Sequence, residues 1–293
     1  MSPLAFILRI VPKNLASYLT GKIAYLPLPS FVLTPLLQLY CRTYGVRIEE
    51  ASKPLNQYRS LGDFFIRDLI PGARPIADGI VSPVDADLTQ FGSISAGTLL
   101  QVKGKTFELG PLLDDQSLAS TFRDGFFITL YLAPGDYHHV HSPVDGTITD
   151  SYHLPGDLWP VNRWSTENVQ GLFCENERLV TLIQTANGRV AVIKVGAFNV
   201  GSIAPTYDSF RTNTFSRIID KSSVIRHRTY TPPIGVRRGE RLATFRLGST
   251  VILLFEKSCF APCSRCMQGP IQLGQPLGHG AEGCSTEVEG GSA

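Results

Sequence analysis

Three groups of side chains in this sequence have the types and spacing that chemistry requires. Near residue 249 a glycine precedes a hydroxyl: Gly248-Ser249-Thr250 stands between the alternating stretch Ala243 to Leu247 and the unbroken apolar run Val251 to Phe255. Alternation marks a half-buried strand and the solid run a fully buried one. The plainest reading of the Gly-Ser step is therefore a bulge or tight turn between two strands. Far upstream, Asp136-Tyr137-His138-His139-Val140-His141 holds three of the chain's six histidines. In an extended chain His139 and His141 share one face and His138 takes the other, although Pro134-Gly135 favours a turn that would break this parity. The third group is a pair of similar loops, Ser82-Pro83-Val84-Asp85 and Ser142-Pro143-Val144-Asp145, each presenting an aspartate at the start of a strand-like stretch. Serine, imidazole and carboxylate are the parts of a nucleophile, its base and an orienting group. Clustered imidazoles joined by Asp85 or Asp145 are equally the parts of a transition-metal site. Spacing supports both.

Short strands must position these groups. Apolar runs recur at Leu88–Phe91, Phe126–Leu132, Val180–Ile183, Val190–Val195 and Val251–Phe255, with turn residues between them. The rhythm of long helices between strands is missing, so the pattern predicts an α+β fold with a β-rich catalytic body. Asp114 to Phe122 is one short helical candidate. The two aspartate loops echo each other, but no wider periodicity accompanies them, so a repeat architecture is not expected.

The amino-terminal part differs. Ile23 to Cys41 carries no charge, yet Pro27, Pro29 and Pro35 interrupt it. A spanning helix would have to re-satisfy the backbone that those prolines disturb. Short amphipathic helices lying on a membrane surface are the better expectation. All five charges before Glu49 are basic (Arg9, Lys13, Lys22, Arg42 and Arg47), which suits an anionic leaflet. The alternative is a helical subdomain folded onto the body. Pro71-Gly72-Ala73-Arg74-Pro75 punctuates the entry to the body, and the division falls near Phe64: residues 1–63 as the membrane-associating region, 64–293 as the catalytic domain. A net charge of +2 is too small to indicate nucleic acid. Met1 to Pro12 lacks the basic start and apolar core of a signal peptide, so reduced thiols and a cytoplasmic body are expected. Cys259, Cys263 and Cys266, with Cys284 beyond, give only one tight pair, which argues against structural zinc.

Taken together, these motifs resemble phosphatidylserine decarboxylases of the bacterial, membrane-associated type. The likeness is carried by Asp136-Tyr137-His138-His139-Val140-His141-Ser142-Pro143 with Leu247-Gly248-Ser249-Thr250, and by Ser82-Pro83-Val84-Asp85. Tyr58-Arg59-Ser60-Leu61 with Phe64-Phe65-Ile66-Arg67, Leu154-Pro155-Gly156-Asp157-Leu158 and Asn176-Glu177-Arg178 follow in the same order, and the similarity runs from about Tyr58 to about Leu277. The resemblance implies a self-cleaving enzyme cut between Gly248 and Ser249, giving fragments 1–248 and 249–293. Ser249 becomes a covalent pyruvoyl group, and Asp85, His141 and Ser249 form the maturation triad. His138 is implied as the proton donor in decarboxylation. Phosphatidylserine would enter through a Schiff base with the pyruvoyl ketone and leave as phosphatidylethanolamine. No metal is implied. The two fragments would stay together as a heterodimer, pairing again as a homodimer, on the cytoplasmic side of the cell membrane as a peripheral protein. Two departures stand out: Ala86 follows Asp85 where the family usually has glycine, and the cysteine-bearing tail after Lys257 is not a family hallmark.

The residue types fit that chemistry. A serine hydroxyl is a poor nucleophile until a base takes its proton, a role for His141 with Asp85 as orienter and Asp145 as the runner-up. Glycine at 248 leaves the attacked carbonyl open. Two rivals use the same residues differently. A membrane-associated serine hydrolase would employ Ser249, His141 and Asp85 without self-cleavage, and a silent membrane-bound binding protein would employ none of them.

Overall fold

The computed structural model describes residues 13–100, 106–161, 165, 168–169, 171–198, 202–213, 226–246, 249–263 and 267–280. Helices α1 (Lys13–Ala24) and α2 (Ser30–Tyr44) precede the short α3 (Leu61–Phe65). The body begins with strands β1 (Ile80–Val81), β2 (Ala86–Ser93), β3 (Thr98–Leu100) and β4 (Thr106–Glu108), then helices α4 (Leu109–Leu113) and α5 (Gln116–Thr121). Strands β5 (Phe126–Leu132), β6 (His139–His141) and β7 (Gly146–Leu154) lead to α6 (Leu172–Glu175), β8 (Arg178–Thr185), β9 (Gly188–Val195) and β10 (Ile203–Pro205). The chain continues through β11 (Arg226–Val236), β12 (Arg241–Phe245), β13 (Ser249–Phe255), β14 (Ala261–Pro262), β15 (Gly269–Ile271) and β16 (Pro276–His279). The fold is mixed α+β, as expected.

The apolar runs explain the layering. An eight-stranded antiparallel sheet has the order β11-β7-β8-β9-β13-β5-β2-β15, with β13 between β9 and β5. One face carries Val251, Leu253 and Phe255 into a core shared with the small sheets β1-β16-β14 and β10-β12-β6. The other face sends Ile252 and Leu254 into a second core under α4, α5 and α6. Burial on both faces is why this strand reads as a solid apolar run rather than an alternating one. Helix α5 falls inside the expected Asp114–Phe122 segment, and the Asp115 carboxylate accepts the Leu118 N–H at 3.0 Å to cap it.

The echo between the two aspartate loops extends further than the sequence indicated. Ser82 and Ser142 each donate from Oγ to the carbonyl two residues on, both at 2.7 Å. The loops clasp one another: Val81 N–H donates to the Pro143 carbonyl at 3.1 Å, and His141 N–H to that of Pro83 at 2.8 Å. Each is also held by a distant turn. Asp85 accepts the Leu273 N–H and Asp145 accepts the Arg238 N–H, both at 2.9 Å. Gly274 and Gly239 donate to the carbonyls of Ser82 and Ser142 at 3.0 and 2.8 Å. The likeness is confined to these two loops and the turns that hold them, which share little sequence. Ala86 keeps an ordinary backbone, since the non-glycine residues at positive φ are Ala96, Asp114, Asn213 and Ser258 among those described. The turn after Asp85 therefore accommodates alanine.

The amino-terminal helices have their own small core of Leu33, Leu37, Cys41, Val46, Tyr58 and Phe64. Helix α1 is reversed in polarity: Lys13 and Ser17 are buried, while Leu15, Leu19 and Ile23 are 37%, 52% and 68% exposed. Lys13 pairs with Asp157 at 2.9 Å and lies over the Trp159 ring. Among the described residues no helix is long and apolar enough to cross a membrane.

Candidate active site

Helix α3 sets the site from one side. Ser60 Oγ accepts the Asp63 N–H at 3.0 Å, and the Asp63 carboxylate reaches back to the Arg59 N–H at 3.1 Å, a reciprocal cap that fixes this short helix. Beyond it, Phe65 lies against the His138 ring, centroids 3.9 Å apart. Arg67 donates to the Gly135 carbonyl at 2.7 Å and to the Asp136 carbonyl at 3.3 Å, which pins the loop carrying the histidines. That loop starts after Leu132, the register partner of Ser249, and ends at His138, whose carbonyl accepts the Phe245 N–H at 2.9 Å. Its two ends thus touch β13 and β12, the strands that follow and precede residues 246–248. Gly248 itself, and the side chain of Ser249, lie outside the described residues; the Ser249 backbone opens β13.

The histidine parity survives the Pro-Gly turn. His139 and His141 both lie near the Tyr137 ring, at 4.9 and 5.8 Å between centroids, while His138 packs on Phe65. His138 Nδ1 faces the Asp136 carbonyl at 2.8 Å, and His141 Nδ1 faces the Gly239 carbonyl at 2.8 Å. A carbonyl only accepts, so both rings carry their proton on Nδ1 and a lone pair on Nε2. Neither Nε2 has a partner among the described residues. Burial lowers the pKa of His138 to about 3 and pulls that of His141 below the ordinary value. Both are neutral bases at physiological pH. His139 differs, because Thr244 Oγ1 at 2.8 Å and the Ile66 carbonyl at 3.1 Å occupy both its nitrogens.

Asp85 is buried but does not touch His141 by hydrogen bond. Arg74 grips it from Nε at 2.8 Å and from Nη2 at 2.5 Å, and the Leu273 N–H takes Oδ1. Glu50 shares the same guanidinium at 2.8 Å. Among the two echoed aspartates, Asp85 is the one whose charge bears on His141, raising its pKa against the larger effect of burial. Asp145 is exposed. The Gly239 carbonyl orients the ring, and Asp85 acts across space. Asp136 uses its carboxylate to accept the Ala133 N–H at 2.6 Å, and burial pushes its pKa up to about 6.

Two members of this site were missed by sequence reasoning. Arg74 sits in a Pro-Gly-Ala-Arg-Pro stretch that reads as turn punctuation. Gly239 contributes a backbone carbonyl, which no side-chain pattern advertises. Among the described residues no three His, Cys, Asp or Glu side chains converge on a common point. Cys266 and Cys284 lie outside the described residues, while Cys259 and Cys263 are free thiols.

Two buried neutral imidazoles with open Nε2 atoms lie on or just before β6, which pairs with β12, the strand preceding the Gly-Ser step; they are groups able to accept and pass on protons. Residues 61–279 match the family model for phosphatidylserine decarboxylase. A phosphatidylserine decarboxylase proenzyme of Anaeromyxobacter sp. (strain K) is 41% identical over 278 residues, covering 94% of this chain and 97% of the relative. The proenzyme of Myxococcus xanthus (strain DK1622) is 40% identical, covering 93% and 96%, and that of Brevibacillus brevis (strain 47 / JCM 6285 / NBRC 100599) is 42% identical, covering 85% and 87%. The chain belongs to the phosphatidylserine decarboxylase family.

Proposed function

We propose that this protein converts phosphatidylserine to phosphatidylethanolamine and CO2 with a pyruvoyl group made from its own Ser249. The observation that carries this reading is the neutral, buried His141, whose Nε2 has no partner, on a strand paired with β12, the strand that leads into Gly248-Ser249. Family membership and the naming of the relatives as proenzymes support it.

In maturation, His141 Nε2 takes the Ser249 hydroxyl proton as Oγ attacks the Gly248 carbonyl carbon. The amide becomes an ester. Loss of the Ser249 α-proton then expels the Gly248 carboxylate, and water replaces the nitrogen at residue 249, which departs as ammonia. Asp85 favours the transient imidazolium by its charge, while the Gly239 carbonyl keeps the Nδ1 proton in place. The residues present suit a carbonyl group at 249, because the buried His138 Nε2, His141 Nε2 and Thr250 Oγ1 are without partners among the described residues. Once formed, the pyruvoyl group supplies a ketone that condenses with the substrate amine and accepts the electrons released with CO2. His138 in its resting state is an acceptor at Nε2, so it must take a proton before it can give one. The ammonium of the substrate headgroup brings that proton, and His138 returns it to the carbon that has lost CO2.

A membrane surface is the proposed location. Support comes from α1, where burial of Lys13 and Ser17 leaves Leu15, Leu19 and Ile23 outward, and from exposed Phe31, Leu36 and Leu39 on α2. Intact-mass measurement tests the reading. Fragments 1–248 and 249–293 are expected from the active protein, and a single chain from Ser249→Ala. An active species of 32.1 kDa would favour a serine hydrolase instead.

A further inference from the structure

A cavity of about 360 Å³ lies along β12, the strand that precedes Ser249 in the chain, walled by residues from the 52–68, 204–211 and 241–246 segments and by His139. Its lining is rich in cations but includes two carboxylates, and both are engaged: Asp68 pairs with Arg241 at 2.5 Å, and Asp63 accepts the Arg59 N–H. Arg67, as described, donates to the Gly135 and Asp136 carbonyls. Three cations remain with no carboxylate at ion-pair distance among the described residues: Lys53, Arg211 and Arg246. Arg246 lies over the Tyr25 ring, 5.2 Å from its centroid, and its Nε is buried without a partner. Cations crowded into a partly dry cleft repel one another, and an entering anion relieves that repulsion.

Position gives the anion its identity. Arg246 precedes Ser249 by three residues, so their Cα atoms are at most about 11 Å apart even in a fully extended chain. Tyr25 directly follows α1, and Leu26 beyond it is 55% exposed. The cavity's Arg246 thus stands three residues from the proposed nucleophile in the chain and over Tyr25 at the end of α1, where the phosphate of a membrane lipid would pass.

We propose that this cavity binds the phosphate ester of the headgroup, with Arg211 and Arg246 as its ligands and the exposed Lys53 at its rim. The identity of the ligand rests on the proposed decarboxylase reading; the presence of an anion site does not. The test uses the full chain carrying Ser249→Ala, so that binding is read without turnover. Glycerophosphoethanolamine and inorganic phosphate are titrated separately by calorimetry. Arg246→Gln and Arg211→Gln should each weaken binding about tenfold or more, as expected for loss of a charge-assisted hydrogen bond. Arg246→Lys should lose less, and Arg123→Gln, on an exposed turn away from the cavity, should change nothing. Tighter binding of the glycerophosphoester identifies the lipid headgroup, and equal binding of both identifies a general phosphate site; either supports the proposal. Binding by neither ligand, or binding indifferent to both arginine variants, overturns it. Thermal melting of each variant guards against misfolding, and Arg246→Lys with Arg211→Gln carries the test if Arg246→Gln does not fold. A wild-type chain that stays uncut while the arginine variants lose phosphate would refute the decarboxylase reading and leave the anion site standing.

Discussion

His138 and His141 are the same residue type, three positions apart, with the same tautomer, yet different steps are assigned to them. His141→Ala should leave the chain uncut, because the base proposed to take the Ser249 proton is lost. His138→Ala should still be cut but lose about 10²- to 10⁴-fold in decarboxylation, the usual contribution of a positioned acid–base group. Fragment analysis and CO2 release separate the two outcomes. The pH response follows from burial. Both imidazoles have folded pKa values below the ordinary one, His138 at about 3. The base form of His141 is lost only as pH falls through its lowered folded value. The rate of chain cutting should therefore reach half its plateau at a lower pH than the 6.5 or so of an unperturbed imidazole. Stability behaves differently: below the unfolded pKa the unfolded chain binds more protons, so melting temperature should fall as pH drops from 6.5. Arg74→Gln would leave Asp85 a buried carboxylate without its cation. A loss of roughly 3–5 kcal/mol in stability is expected, together with slower cutting; denaturant unfolding and a time course of fragment appearance measure these. Of these residues, Asp85, His138 and His141 were legible because side-chain types cluster in the sequence. Arg74 and the Gly239 carbonyl were not, because a turn looks the same whether or not its residues serve a site.

At the scale of elements, legibility followed burial. Strands β5, β9 and β13 are covered on both faces and announce themselves as apolar runs. Helix α4, Leu-Gly-Pro-Leu-Leu, is disguised by its glycine and proline, and β11 is a largely exposed edge strand with two internal prolines and little alternation. One strand carries an anomaly. Lys194 of β9 is fully buried, donating to Thr181 Oγ1 at 2.5 Å and to the Val192 carbonyl at 3.1 Å. Two acceptors suit the two N–H bonds of a neutral amine, and burial lowers its pKa to about 7. Because the folded pKa is depressed, the chain must shed a proton to fold anywhere between that value and the unfolded one. The resulting penalty is largest at and below pH 7 and vanishes above about pH 10.4. Lys194→Met should therefore raise stability at pH 7 by roughly 1–4 kcal/mol, with the advantage shrinking as pH rises. Melting curves at pH 7 and pH 10 test this, and an advantage independent of pH would show that the amine is not the cause.

Across the whole molecule, the bond proposed to break lies at the entrance to a central strand. Strand β13 has seven register pairs with β5 and six with β9, so cutting before it frees a chain end without freeing the strand. The two aspartate loops add a second brace, since the turns holding Asp85 and Asp145 fall on opposite sides of the proposed cut. The reversed polarity of α1 makes a prediction of its own. Replacing Leu19 and Ile23 together by glutamate removes two outward apolar side chains, each worth about 1.5–3 kcal/mol if buried in lipid. Vesicle flotation should fall at least tenfold while fragment formation continues. Unchanged flotation would assign the exposed face another role.

The Glu50–Arg74–Asp85 chain joins the segment just after α2 to the carboxylate behind His141. Thermodynamic linkage makes such a connection symmetrical. Whatever free energy the lipid surface transmits through Glu50 to Asp85, a change of charge at Asp85 returns to the affinity for that surface. By that linkage, the guanidinium shared by Glu50 and Asp85 would tie the proposed adhesion to the proposed self-cleavage.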